Sequence, residues 1–155
     1  MIVGIAGGSG SGKTTVARKI ISELERKYAV NYLQQDSYYI DRSYLPAEDR
    51  EDINFDHPDS IDFELLINQL NLLKLKNPVD VPIYDFISHT RKSLTEKINP
   101  ATITIVEGIL LFTRKELIDL FDYKIYVETS DDIRFIRRMK RDLQERGRTV
   151  EMLVK

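Results

Sequence analysis

The spacing of apolar residues changes repeatedly along the chain, and each change marks an element. Ile2-Val3-Gly4-Ile5-Ala6 is a continuous apolar run of strand length. After it, Val16, Ile20, Ile21 and Leu24 recur at helical spacing among Arg18, Lys19, Glu23, Glu25 and Arg26. Read this way, the chain predicts strands over 2–6, 30–35, 102–107 and 123–128, and helices over 13–27, 60–75, 113–121 and 131–146. Thr102-Ile103-Thr104-Ile105-Val106 is β-branched throughout, as a strand buried on both faces requires. In the second helix Phe63, Leu66, Ile67, Leu70 and Leu73 form one apolar face. Strands alternating with helices predict an α/β fold, a parallel sheet with helices on both faces joined by right-handed crossovers. No repeat or linker divides residues 1–155, which read as one domain.

Two stretches break the alternation. Residues 36–59 are polar, and within them the cluster Asp49, Arg50, Glu51 and Asp52 reads as a solvated loop without a role. Residues 80–99 read as two short strands outside the main sheet. Long excursions from a compact domain are usually functional or disordered, and the aromatics and histidine in this one favour function. Composition adds limits rather than chemistry. With 23 basic and 25 acidic residues the net charge is −2, so no overall field argues for nucleic acid or an anionic membrane. The absence of cysteine excludes disulfides and cysteine-ligated zinc. No apolar run reaches membrane-spanning length, and with the first strand beginning at residue 2 no targeting peptide is expected. A cytoplasmic location is the expectation.

Between the first strand and the first helix stands Gly7-Gly8-Ser9-Gly10-Ser11-Gly12-Lys13-Thr14, a full match to G-x-x-x-x-G-K-[ST], with Thr15 next to it. Glycines let the backbone curl so that its N–H groups face a polyphosphate, and the helix N-terminus adds partial positive charge. Lys13 would reach the outer phosphates and the Thr14 hydroxyl would ligate Mg²⁺. The bland alternative is a glycine-rich turn that binds nothing; the flanking strand and helix favour the phosphate loop.

Other residues acquire meaning beside that loop. Val106-Glu107-Gly108 ends the third parallel strand with an acid, which would hold Mg²⁺ close to Thr14. The second strand runs into Asp36, at the sheet edge that also carries the loop. A carboxylate there can accept the proton of an attacking hydroxyl, or simply cap a turn. The last helix carries Arg134, Arg137, Arg138 and Arg141, followed by Arg146 and Arg148. Such a cluster can gather around a transferring phosphoryl group, or form a solvated basic face offset by Asp131, Asp132, Asp142 and Glu145.

Taken together, several segments resemble the uridine kinase (uridine–cytidine kinase) family. They are the loop at 7–14, Gln-Asp-Ser-Tyr-Tyr at 35–39, Asn-Phe-Asp-His-Pro-Asp at 54–59, Pro-Ile-Tyr-Asp-Phe-Ile-Ser-His-Thr-Arg at 82–91, Val-Glu-Gly-Ile-Leu at 106–110 and Arg-Arg-Met-Lys-Arg-Asp-Leu-Gln-Glu-Arg-Gly-Arg at 137–148. The resemblance implies a phosphate-loop NTPase fold of the nucleoside monophosphate kinase type, with a hairpin excursion at about 80–99 and an arginine-rich helical lid at about 131–148. It implies transfer of phosphate from ATP or GTP, with Mg²⁺, to the 5′-hydroxyl of uridine or cytidine in pyrimidine salvage. Asp36 would be the base, with Lys13 and Arg141 serving the transfer. Asp56 would hold the ribose hydroxyls, and Tyr84 and His89 would read the pyrimidine edge. Phe86 and Phe55 would wall the ring. Arg138 and Arg148 would contact the nucleoside, and Arg141 and Arg146 phosphate. The implied partners are small molecules, with no nucleic acid or membrane, and the family implies a homo-oligomer, tetramer or dimer, in the full-length form. Family members continue past the equivalent of Lys155, so a missing C-terminal part is a further expectation. The rival readings are another small-molecule kinase, such as a phosphoribulokinase or pantothenate kinase, and a nucleotide-binding fragment without turnover.

Overall fold

A computed structural model describes residues 1–51 and 53–145. In chain order the elements are β1 (Ile2–Ala6), α1 (Lys13–Leu24), β2 (Val30–Gln34), α2 (Ala47–Glu51), α3 (Phe63–Lys74), β3 (Val79–Asp85), β4 (Thr90–Ile98), β5 (Ile103–Gly108), α4 (Lys115–Ile118), β6 (Tyr123–Tyr126) and α5 (Asp131–Glu145). Short 3-10 turns occupy Gln35–Tyr38 and Pro58–Ser60. Four strands form a parallel sheet in the order β2-β5-β1-β6. The β-branched strand β5 lies inside this sheet and is buried at all six positions. Strands β3 and β4 form a separate antiparallel hairpin.

Alternation along the strands divides the core. Val3 and Ile5 of β1 and Ile103 and Ile105 of β5 face α1, where they meet Ala17, Ile20, Ile21 and Leu24. Ile2, Ala6 and Val106 face the other way, onto Leu66, Leu70 and Leu73 of α3 and onto Leu111, Leu117 and Phe121. Each face of the sheet therefore has its own helical cover, the arrangement a parallel sheet needs because both faces are apolar. Among the described residues no helix is long and apolar enough to cross a membrane.

Helix ends depart from the periodicity for local reasons. Apolar spacing predicts a helix from residue 60, but α3 starts at Phe63 because Asp62 caps it, accepting from the Leu65 N–H at 3.0 Å. Its other end closes by bonds from Lys76 N to Leu73 O and from Asn77 N to Leu72 O, with Lys76 at φ 64. This is the Schellman arrangement, with lysine at the left-handed position that usually takes glycine.

The charged cluster that begins at Asp49 is not merely a solvated loop, and the stretch around it is tied to the rest of the fold. Arg50 of α2 donates to Ser88 O in the hairpin turn at 2.7 Å. Arg91 of β4 donates to Tyr39 O at 2.8 Å, Tyr38 O at 3.2 Å and Asp62 Oδ2 at 3.1 Å. Tyr38 OH donates to Gln69 Oε1, and Gln69 Nε2 donates to Asp80 O, both at 2.8 Å. The turn after β2, the first helix turn of α3 and the hairpin are thereby fastened to one another.

Candidate active site

The phosphate loop is built where its sequence puts it, between β1 and α1. Gly10 and Gly12 have φ of +78° and +91°, backbone that side chains with a Cβ rarely adopt. Ser11 N donates back to Gly8 O at 3.0 Å, closing the curl, while a Cβ on Gly7 would strike Val127 O at 2.5 Å. Ser11 is buried, and its Oγ has no hydrogen-bond partner among the described residues. Gly12 caps α1 without a side-chain bond, and the first turn holds Lys13 and no acid. A cation at the positive end of a helix opposes the helix dipole, so this end favours an anion. Thr14 and the exposed Thr15 lie with Gly10, Gly12, Lys13 and Arg141 along an open groove of about 530 Å³ on the outer side of the loop.

Glu107 of β5 meets the loop from below. Its Oε1 accepts from Thr14 Oγ1 at 3.0 Å and lies 3.8 Å from Lys13 Nζ, and both Lys13 and Glu107 are buried. Its other oxygen accepts from Tyr32 OH. Burial, followed by the bond to Glu107, drives the Tyr32 phenol pKa upward, so Tyr32 remains a donor. No group of three histidine or acidic side chains suited to a metal occurs among the described residues. The Thr14 hydroxyl and the Glu107 carboxylate still fit Mg²⁺, which takes hard oxygen ligands and usually binds through one or two protein oxygens plus phosphate and water.

Asp36 stands in the 3-10 turn after β2, whose other residues are locked from several sides. Gln35 is fully buried, with its Oε1 accepting from Leu110 N at 2.9 Å. It fits only because residue 108 is glycine, where a Cβ would come within 2.3 Å of that oxygen. Arg91 and Gln69 hold Tyr38. Asp36 thus lines a cleft that has Ser9 and Lys13 on one side and Tyr39, Phe55, Asp56, Tyr84, Phe86 and His89 on the other.

The aromatic wall is mutually packed. Tyr39 lies 5.2 Å from Phe55 and 5.1 Å from Tyr84 between ring centroids, and Tyr84 lies 5.5 Å from Phe86. His89, at φ 55, stacks on Phe55 with centroids 4.8 Å apart and planes 23° from parallel. Burial pushes the Tyr84 phenol up to about 12, so it is protonated at neutral pH. The hairpin turn beneath them is fixed by Asp85, whose Oδ1 accepts from Ile87 N and Ser88 N at 2.8 and 3.2 Å. Those bonds hold its carboxyl below the usual carboxylate value.

Arginines of α5 reach different targets. Arg134 donates to Ser9 O and pairs with Asp131, and its guanidinium fills the space beside Gly8 that a Cβ would take. Arg137 reaches toward Gly10 O at 3.5 Å. Arg141 donates to Ser9 Oγ at 3.2 Å, and Arg138 donates to Asp56 Oδ2 at 2.6 Å. Of the residues assigned by sequence, Ser9, Lys13, Asp36, Asp56, Tyr84, Phe86, His89, Arg138 and Arg141 share one cleft, Gly10, Gly12, Thr14 and Thr15 line the separate groove, and Glu107 and Thr14 share one corner. Arg146 and Arg148 lie outside the described residues. Sequence reasoning named Arg134 and Arg137 only as members of the arginine cluster, and it gave no site role to Tyr32, Tyr39 or the buried Asp142. The arginine spacing was the only signal for Arg134 and Arg137, Tyr39 was marked only by its place in the segment 35–39, and nothing local marks Tyr32.

Known proteins resemble this chain in sequence and in fold. Uridine kinases of Lactobacillus helveticus and Lactobacillus johnsonii are 48% and 49% identical over 154 residues, 99% of this chain and 73% of each relative. Among solved structures, phosphoribulokinase from Rhodobacter spheroides superposes with a TM-score of 0.71 at 16% identity, covering 99% of this chain and 60% of that one, a likeness of fold alone. Residues 2–155 match the profile of the Phosphoribulokinase / Uridine kinase family, and the chain belongs to that family.

Proposed function

We propose that this chain is a nucleoside kinase that transfers the terminal phosphoryl group of ATP to the 5′-hydroxyl of uridine, the first step of pyrimidine salvage. The observation that carries the reading is the placement of Asp36 between a phosphate loop and an aromatic wall, all lining one cleft. The near-half identity to uridine kinases supports the same substrate.

Phosphoryl transfer needs positioning and charge stabilisation more than covalent chemistry from the protein. Asp36 takes the proton of the attacking hydroxyl. Lys13 and Arg141 stabilise charge on the phosphoryl oxygens, with the loop N–H groups around them. Thr14 and Glu107 would hold Mg²⁺, which when bound neutralises phosphate charge and orients the donor. Asp56 accepts from the ribose hydroxyls, Tyr84 and His89 bond the pyrimidine edge, and Phe86 and Phe55 pack on its plane. The cleft is narrow, with a cavity of about 40 Å³. The Arg138–Asp56 ion pair joins α5 to the nucleoside side, so a nucleoside enters by parting that pair.

A coupled ADP-release assay with uridine, cytidine, ribulose 5-phosphate and pantothenate tests the proposal. Turnover with the pyrimidine nucleosides is the expected result, and turnover confined to the other acceptors, or none, overturns it. In the same assay His89→Ala is expected to raise the uridine KM about tenfold, the loss of one hydrogen bond plus a ring contact. ATP KM should move little, and an unchanged uridine KM returns His89 to a role in the hairpin turn.

A further inference from the structure

Helix α5 is exposed or half-buried at its described positions with one exception. Asp142 is only 2% exposed. A buried carboxylate is costly unless it is paired and hydrogen-bonded, so its partners define what it does. Asp142 Oδ1 accepts from Arg141 Nε at 2.9 Å and lies 2.8 Å from Arg141 Nη2. Its Oδ2 lies 3.6 Å from Arg138 Nε, one helical turn away. Each arginine then continues to a different part of the cleft. Arg141 Nη2 reaches Ser9 Oγ in the phosphate loop, and Arg138 Nη1 reaches Asp56 Oδ2 in the loop facing the nucleoside side.

The result is a continuous chain, Ser9–Arg141–Asp142–Arg138–Asp56, running from the donor side of the cleft to the acceptor side. The two arginines are helical neighbours and repel each other. One carboxylate between them removes that repulsion. It accepts a hydrogen bond from the Nε edge of Arg141, which sets the plane of that guanidinium, and it attracts the Nε edge of Arg138 as an ion pair at 3.6 Å.

We propose that Asp142 is a positioning residue that orients both lid arginines at once, so that one buried carboxylate sets the geometry of the phosphate side and the nucleoside side together. This rests on the kinase reading above. A role as a mere counter-charge predicts that any carboxylate at 142 suffices. A role in orientation predicts that the carboxylate must stand at one distance from the helix axis.

Asp142→Glu keeps the charge and displaces it by one methylene, and Asp142→Asn keeps the shape and loses the charge. Both are expected to lower kcat/KM for uridine by roughly 10²-fold, the scale of a 1 Å misplacement in a reacting constellation. Melting temperature and circular dichroism establish that each variant is folded. If Asp142→Asn does not fold, Asp142→Glu carries the test. Calorimetric titration with a non-hydrolysable ATP analogue and, separately, with uridine supplies the second readout. The Asp142→Glu penalty on analogue binding should disappear in an Arg141→Ala background, and its penalty on uridine binding in an Arg138→Ala background. Penalties that persist unchanged in those backgrounds, or wild-type turnover in Asp142→Glu, overturn the proposal. If the unsubstituted protein turns over no nucleoside, the kinase reading fails by itself. The analogue titration still decides whether Asp142 acts through Arg141.

Discussion

Lys13→Ala is expected to lower kcat/KM by about 10³-fold or more while leaving the fold in place. Removing a single preorganised donor from a site of developing charge costs about 10²–10³-fold, and Lys13 contributes a full charge from a buried position. The fold should survive because the buried Glu107 carboxylate keeps the Thr14 and Tyr32 hydroxyls as donors after the ammonium is gone. Lys13→Met, which retains much of the stem, controls for lost packing. Circular dichroism and a thermal melt establish that the variants are folded, and single-turnover transfer to uridine measures the loss. Near-normal transfer in folded Lys13→Ala overturns the assignment of phosphate binding to this loop.

What could be read from the sequence divides along a physical line. The parallel strands β1 and β5 were legible because β1 is a continuous apolar run and β5 opens on the β-branched run Ile103–Val106, patterns that burial on both faces produces. The phosphate loop was legible because its chemistry is local, with every needed residue within eight positions. Boundaries were less so. The start of α3 is set by Asp62 bonding the Leu65 N–H, and a cap of this kind outweighs the apolar spacing that extends to residue 60. Partnerships across the chain were illegible. Asp142 looks like any acid on a charged helix, and its burial depends on where Arg138 and Arg141 are drawn by loops far away in sequence. Tyr32 reaches Glu107 only because β2 pairs with β5 in a register that no local signal announces. Arg50 belongs to a run of charges that composition assigns to solvent, yet its guanidinium holds the hairpin turn through Ser88 O. Charge tells that a side chain can bond, and the fold decides to what.

Asp36→Asn should lower kcat by roughly 10²–10⁴-fold, the range for a residue that moves a proton in the transition state. The substitution keeps size and removes the basic oxygen, so the loss should fall on kcat. Affinity for ATP should barely move. The structure gives a reason to trust the contrast. The turn carrying Asp36 is fixed through its neighbours, with Gln35 wedged against Gly108 and bonded to Leu110 N, and Tyr38 held by Gln69 and Arg91. Those anchors involve no atom of the Asp36 carboxylate, so the asparagine is expected to stand where the aspartate stood. Kinetic constants for uridine and ATP, together with calorimetric affinity for a non-hydrolysable ATP analogue, separate the roles. A fall in analogue affinity as large as the fall in kcat would show that Asp36 serves the metal or the donor instead of the attacking hydroxyl. An unchanged kcat would show that the hydroxyl loses its proton without help from this residue.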